Sequence, residues 1–255
     1  MHSTTERSQA ERIGNAVAFS VVILFNYLAN AVPLGGQTTG AISDQYVSMF
    51  TPAGFTFAIW GVIYLALLGF IIRQFWNRPG EAAPIFKIRI PFLVNCVANA
   101  AWVLAWHYDQ LILSMLIMVV ILWTLIQINL ILRAESTLMS TWGYLLIVLP
   151  FSIYFGWITV ATIANVSVLQ SAFGLNEAFL SQQAWTLLKL VAAGGAGYFW
   201  GWRYKQPAYL FVIAWAAFGI SVANSSQSVV QIAAQILVVV GLLAGLSASW
   251  IRLKI

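Results

Sequence analysis

The sequence predicts an all-α membrane protein, a polytopic helical bundle with about eight transmembrane helices. Three observations support this. The chain is 61% hydrophobic and only 7% charged, and its mean hydropathy is +0.87. Long apolar runs recur along it, and all but one of its 12 Lys and Arg residues are confined to every second segment that flanks or connects those runs. A water-soluble domain of this length needs far more charge to cover its surface, so the bilayer is the solvent of this chain.

Each predicted span is an apolar run close to the roughly 20 residues that a helix needs to cross the hydrocarbon core. In chain order, the spans are 13–33, 52–76, 90–106, 111–132, 142–166, 183–202, 208–222 and 229–251. The third and the seventh are short. The loops between most of them are brief, which favours antiparallel neighbours in a bundle.

Charge divides the connecting segments into two sets. The basic residues in the segments that share one side of the membrane are Arg7, Arg12, Arg73, Arg78, Lys87, Arg89, Arg133, Arg203, Lys205, Arg252 and Lys254. The opposite loops carry Asp44, Asp109 and Glu177 and neither Lys nor Arg. Because basic loops stay in the cytoplasm, both termini are predicted to be cytoplasmic. The same rule accounts for the net charge of +5 without a nucleic-acid partner, and the compact loops favour a bacterial inner membrane.

Polar side chains inside the predicted spans point to function, because amides are costly in hydrocarbon. Asn95 and Asn99 lie one turn apart, and Trp102 and Trp106 continue the same helix face. Similar spacings relate Asn26 to Asn30, Trp157 to Ala161 and Asn165, and Gln231 to Gln235. Two interpretations stay open. These groups form interhelical hydrogen bonds, worth about 0.6–2 kcal/mol each, or they converge on an aromatic cavity with a few polar anchors.

Lys189 is the one basic residue that departs from this charge pattern, and it lies inside the sixth predicted span. A Lys at the centre of the membrane costs about 2.5–3.5 kcal/mol or more, so its presence needs a reason. Its stem can snorkel outward and pair with Glu177. The alternatives are an anchor for an anionic ligand and an ion-coupling residue.

Several kinds of chemistry lack a signature in the sequence. Cys96 is the only cysteine, which excludes an intramolecular disulfide. His2 and His107 do not form a pair at ligand spacing for haem or a metal. No nucleophile–base–acid set and no phosphate-binding glycine loop is recognisable, so an enzyme is the least supported class.

Three motifs resemble the TspO/MBR family, that of the translocator protein or tryptophan-rich sensory protein. The stretch from Thr51 to Tyr64 resembles the family's second helix, with matches at Pro52, Trp60 and Tyr64. The sequence Asn99-Ala-Ala-Trp102 resembles the Asn-x-x-Trp of helix three. The sequence from Trp157 through Ala161 to Asn165 resembles the Trp-x-x-x-Ala-x-x-x-Asn of helix five. The motifs occur in family order and cover about residues 13–170.

The resemblance implies a five-helix core with a pocket for porphyrins and other flat hydrophobic ligands, and a possible homodimer. No cofactor is required; a porphyrin or haem-like tetrapyrrole is the implied ligand. Carried over by position, the binding residues are Trp60, Tyr64, Asn99, Trp102, Trp157, Ala161 and Asn165. The segment 33–50 is implied to cover the cavity.

Two family features are missing. Gly54 stands near the position of the first Trp of the helix-two motif, which argues against light-dependent porphyrin degradation. The segment 166–170 lacks the Tyr and basic residue of the family's sterol pattern, which argues against sterol binding.

The resemblance suggests a division of the chain into four parts. These are a cytoplasmic tail (1–12), a five-helix core (13–170), an outer loop (171–182) and a three-helix extension (183–255). The leading functional hypothesis is a receptor or carrier for a planar hydrophobic ligand. The alternatives are a secondary transporter of a small amphipathic or anionic metabolite that uses Lys189, and a structural subunit of a membrane complex.

Overall fold

The computed structural model describes residues 2–46, 48–76, 81–135 and 140–253, without the side chains of residues 2–8 and 253. Arg78 and Lys254, two of the predicted cytoplasmic charges, lie outside the described residues, as does the side chain of Arg7.

Helices account for all of the regular structure in the described ranges, which confirms the predicted all-α membrane bundle. The α-helices are α1 (His2–Ala31), α2 (Thr39–Gln45), α3 (Ile59–Arg73), α4 (Ala82–His107), α5 (Leu111–Glu135), α6 (Thr141–Gly143), α7 (Leu149–Ala172), α8 (Gln182–Ala196), α9 (Pro207–Ala223) and α10 (Ser228–Leu253). Short 3-10 segments occupy Leu34–Gly36 and Gly54–Ala58, and π-helical turns occupy Tyr144–Val148 and Gly197–Trp202.

Six helical stretches in the described residues are long and apolar enough to cross a membrane. They are Gln9–Gly36, Gly54–Arg73, Ala82–His107, Leu111–Glu135, Thr141–Ala172 and Ser228–Arg252. Pro207–Ala223 is apolar but shorter, and α8, with Lys189 at its centre, is not among the six. The count of about eight spans is therefore approximate.

Three spans are longer than predicted: α1 begins at His2 rather than at residue 13, the third span begins at Ala82 rather than near residue 90, and the fifth continues to Ala172. In the third span, the charged side chains of Lys87 and Arg89 interrupt the apolar run, although the helix continues through them. In the fifth span, a π-helical turn follows the first residues, Thr141–Gly143, and the N–H of Leu149 donates to the carbonyl oxygen of Tyr144. The next residue is Pro150, which has no N–H to donate and so favours a break in the regular ladder.

The described chain forms two compact units, the first made of residues 1–39 and 60–154. Its core contains three buried rings, those of Phe70, Phe92 and Phe151. They meet edge to face, with centroids 5.0–5.8 Å apart. This arrangement is the favourable one for aromatic quadrupoles, so the rings fix how α3, α4 and α7 pack inside the unit.

The second unit is made of residues 40–59 and 155–255, and its first segment is fastened to α9. The N–H of Ala53 donates to the carbonyl oxygen of Gly219 at 3.1 Å. The indole nitrogen of Trp215 donates to the carbonyl oxygen of Thr56 at 3.0 Å. Asn224 donates from Nδ2 to the carbonyl oxygen of Met49 at 2.8 Å. The segment and the helix therefore form one packed element.

Candidate functional site

A hydrogen-bonded chain of polar side chains crosses the interior of the first unit. Asn99, on α4, is almost fully buried. Its Oδ1 accepts from Asn26 Nδ2 at 2.9 Å, and its own Nδ2 donates to the hydroxyl of Tyr154 at 2.8 Å. The chain thus joins α1, α4 and α7, whose residues lie far apart in sequence. A buried amide needs such partners on both sides, and Asn99 has them.

Aromatic rings extend this chain towards α3. The ring of Tyr154 meets the ring of Trp60 edge to face at 5.9 Å. Trp60 in turn stacks on Tyr64, one helical turn along, with centroids 5.4 Å apart and planes 20° apart. We call Asn26, Trp60, Tyr64, Asn99 and Tyr154 the Asn99 cluster. It combines flat aromatic faces with uncharged hydrogen-bonding groups, as expected for a site that binds a planar ligand.

Two donors near this cluster lack protein partners. The hydroxyl of Tyr64 and the indole nitrogen of Trp102 are buried, and neither has a hydrogen bond within the part of the chain that the structure describes. Trp102 lies on α4, one turn beyond Asn99. A buried donor without a partner costs about 1–3 kcal/mol, so an acceptor atom placed beside either of these two groups would be stabilising.

Trp102 also begins a second contact, at the end of α4. Its ring stacks on that of Trp106 at 5.4 Å, with planes 19° apart. The indole nitrogen of Trp106 donates to the carbonyl oxygen of Thr39 at 3.2 Å. Trp106 is therefore a buried residue that holds the α1–α2 connection.

His107 fastens the start of the same connection. Its Nδ1 lies 2.9 Å from the carbonyl oxygen of Leu34, which can only accept, so Nδ1 carries the proton and donates. In the neutral ring, Nε2 then accepts from the Thr39 hydroxyl at 3.1 Å. Gly35 has a φ of +67°, and a Cβ there would lie 2.9 Å from the His107 carbonyl oxygen. Only glycine fits this close approach without strain.

The helix-five motif belongs to the second unit. Trp157 is buried and meets Phe57 edge to face at 5.8 Å. Asn165 is buried, and Ala161, one helical turn from each of the other two, is half-buried. The predicted binding residues therefore divide between the units: Trp60, Tyr64, Asn99 and Trp102 belong to the first, and Trp157, Ala161 and Asn165 to the second. Their shared role in binding stays a prediction.

Lys189 lies half-buried on α8. No ion pair between Lys189 and Glu177 is present in the described ranges. Its assignment as an ion-pair partner or anion anchor stays a prediction.

Sequence reasoning missed Tyr154 and did not distinguish the role of Asn95 from that of Asn99. Tyr154 is the hub of the Asn99 cluster, yet a tyrosine in an apolar run carries no distinctive signal. Asn95 shares a face with Asn99 in the sequence pattern, but its Nδ2 donates to Thr124 Oγ1 at 2.8 Å, on α5. Asn95 is thus an interhelical hydrogen-bonding residue, and Asn99 belongs to the aromatic cluster.

Comparison with known proteins gave one finding. The profile of the family described as TSPO-like protein matches residues 12–247, nearly the whole chain, including most of the predicted three-helix extension. No curated protein and no solved structure matched the chain.

Proposed function

Because the chain belongs to the TSPO-like protein family, we propose that it is a membrane receptor or carrier for a planar hydrophobic ligand such as a porphyrin or related tetrapyrrole. The ligand stays chemically unchanged in this role. We place the protein in a bacterial inner membrane with both termini in the cytoplasm, as its charge distribution favours.

The observation that carries the proposal is the buried hydroxyl of Tyr64, a member of the Asn99 cluster, which has no hydrogen-bond partner among the described residues. The hydroxyl belongs to a ring that is already stacked on Trp60. A ligand acceptor placed there offsets the cost of the unpaired donor, and the ring edges around it give the apolar body of the ligand its contact area.

The Asn99 cluster suits a tetrapyrrole for two reasons. Trp and Tyr rings offer large rigid faces to a macrocycle. Tyr64 and Trp102 offer neutral donors to acceptor atoms at the edge of the ligand, such as carboxylate oxygens. Because neither donor is charged, their burial in the membrane interior costs far less than that of a Lys or Arg.

One observation favours transport of an anionic metabolite as a second candidate. Lys189 is half-buried in an apolar helix, and the described residues supply it with no acidic partner. An anionic substrate would provide the missing charge. Against this, the apolar runs have no recognisable inverted repeat of the kind that secondary transporters use.

The variant Tyr64→Phe tests the proposal, because it removes only the unpaired hydroxyl. We expect the ligand-free protein to gain about 1 kcal/mol of unfolding free energy, since a buried unsatisfied group disappears. We expect protoporphyrin affinity to fall about five- to tenfold, the worth of one hydrogen bond. Titration of the purified protein, followed by Trp fluorescence and by the porphyrin absorption band, measures the affinity.

Tyr27→Phe is the matched control, because Tyr27 is exposed on α1. It should alter neither quantity. Unchanged porphyrin affinity in Tyr64→Phe, or no porphyrin binding by the folded parent protein, would remove the basis of the proposal.

A further inference from the structure

A polar pocket in the first unit lies where the start of α1, the end of α3 and the start of α4 meet. The polar and aromatic residues that line it are Glu11, Arg12, Asn15, Gln74, Trp76, Phe86 and Arg89. By the charge distribution, these segments lie at the cytoplasmic surface of the membrane. The pocket is thus separate from the Asn99 cluster, whose members lie deeper in the helices.

Hydrogen bonds inside the pocket leave one acceptor unused. Gln74 Nε2 donates to the carbonyl oxygen of Arg12 at 3.1 Å, and a carbonyl can only accept. The Gln74 oxygen therefore faces Asn15, whose Nδ2 donates to it at 3.0 Å. This fixes the Asn15 amide with Oδ1 turned away from Gln74. That oxygen is buried and has no hydrogen-bond donor among the residues that the structure describes, although Asn15 is only 2% exposed.

The pocket also carries a positive charge. Two arginines and one glutamate line it, so its formal charge is +1. Arg89 Nε lies 3.4 Å from Glu11 Oε1, which holds the Arg89 guanidinium at the pocket wall. The neighbouring Arg73 is neutralised separately by Glu81, at 2.7 Å. The combination of guanidinium groups and an unused acceptor matches an anion that also carries a hydroxyl donor.

An apolar groove adjoins the polar pocket in sequence. It is lined by Ile13, Ala16, Val17, Ser20, Val21, Leu24 and Phe75. Ile13 follows Arg12 on α1, and Phe75 follows Gln74 just after the end of α3, so the residues of the groove are direct chain neighbours of those of the pocket. From Ile13 to Leu24 the groove extends about 16 Å along α1, which is about half of the hydrocarbon thickness, or one leaflet.

We propose that the pocket and groove together bind one anionic phospholipid with a hydroxylated headgroup, of which phosphatidylglycerol is the simplest. The phosphate contacts Arg12 and Arg89, a headgroup hydroxyl donates to Asn15 Oδ1, and one acyl chain lies in the groove. A zwitterionic choline headgroup fits poorly, because it places a cation beside two arginines and offers no hydroxyl donor. A free phosphate leaves the groove unused.

Native mass spectrometry of the purified full-length protein tests this, with phosphatidylglycerol and phosphatidylcholine of identical acyl chains as probes. We expect phosphatidylglycerol to bind about tenfold more tightly, as charge-assisted contacts imply. The double variant Arg12→Gln, Arg89→Gln should lose this preference. The control Arg203→Gln, Lys205→Gln removes the same charge from another predicted cytoplasmic segment and should keep it, which separates a built site from general attraction to basic residues.

The groove is tested by Val17→Trp, which fills it without changing charge and stays informative if the arginine variant does not fold. It should weaken phosphatidylglycerol binding at least fivefold, about 1 kcal/mol. Soluble glycerophosphoglycerol, which has no acyl chain, should bind weakly. Equal binding of the two lipids, equal loss in the control variant, or tight binding of the soluble headgroup would each overturn the proposal.

Discussion

Asn99→Ala removes both hydrogen bonds that hold the Asn99 cluster together. Asn26 keeps a second acceptor, the Val22 carbonyl oxygen at 2.9 Å, so only the Tyr154 hydroxyl loses its partner inside the unit. Hydrogen bonds between membrane helices average about 0.6 kcal/mol and reach about 1.7 kcal/mol. Two such bonds, with the small cavity that Ala leaves, imply a loss of about 1–3 kcal/mol of unfolding free energy.

Asn95→Ala provides the matched comparison, because Asn95 lies one turn earlier on α4 and is equally buried. It loses the bond to Thr124 Oγ1, but Thr124 keeps its own acceptor, the Ile121 carbonyl oxygen at 2.8 Å. We expect a similar loss of stability, about 1–2 kcal/mol. Unfolding in mixed micelles of mild detergent and sodium dodecyl sulfate, followed by Trp fluorescence, measures both.

Ligand binding should separate the two variants. Protoporphyrin affinity should fall about tenfold or more in Asn99→Ala, because Trp60 and Tyr154 lose their fixed positions, whereas Asn95→Ala should retain the parent affinity. Equal losses of affinity in both variants would exclude a specific role of the Asn99 cluster, since binding would then follow the general stability of the protein.

Three further predictions concern stability, each measured by the same unfolding assay. Arg73→Met leaves the Glu81 carboxylate buried without its partner and should cost about 3–5 kcal/mol, while the added change Glu81→Leu should recover most of it; no recovery would contradict this. Gly219→Ala places a Cβ against the side chain of Thr56 and should cost about 1–3 kcal/mol, and a neutral result would mean that the two segments separate easily. Lys189→Met removes a half-buried charge from an apolar helix and should raise stability by about 1 kcal/mol; destabilisation would reveal an anionic partner.

Apolar runs and charge alternation were enough to predict the helical membrane fold and most helix positions. Where the predictions were inaccurate, local chemistry explains the difference. The beginning of α4 contains Lys87 and Arg89, which interrupt the apolar signal but not the helix. The segment 33–50 reads as a glycine-rich loop, yet it contains the helix Thr39–Gln45, and its first residues are fastened by His107.

The candidate site was only partly predictable. The cost of amides in hydrocarbon pointed to Asn26 and Asn99, but their pairing depends on how α1 and α4 are rotated about their axes, which spacing within either helix does not determine. Tyr154 carried no signal, because a tyrosine in an apolar run is common in membrane helices. For the same reason, Asn95 and Asn99 looked equivalent until their different partners were known.

Binding of a planar ligand by the Asn99 cluster is tested by protoporphyrin titration of the double variant Trp60→Phe, Asn99→Ala. The control is Trp123→Phe, Asn95→Ala, which removes the same side-chain types, with Trp123 on the exposed face of α5. We expect saturable quenching of Trp fluorescence in the parent and the control and none in the Trp60→Phe, Asn99→Ala variant. Saturable binding of equal affinity in all three proteins would mean that the Asn99 cluster is not the binding site.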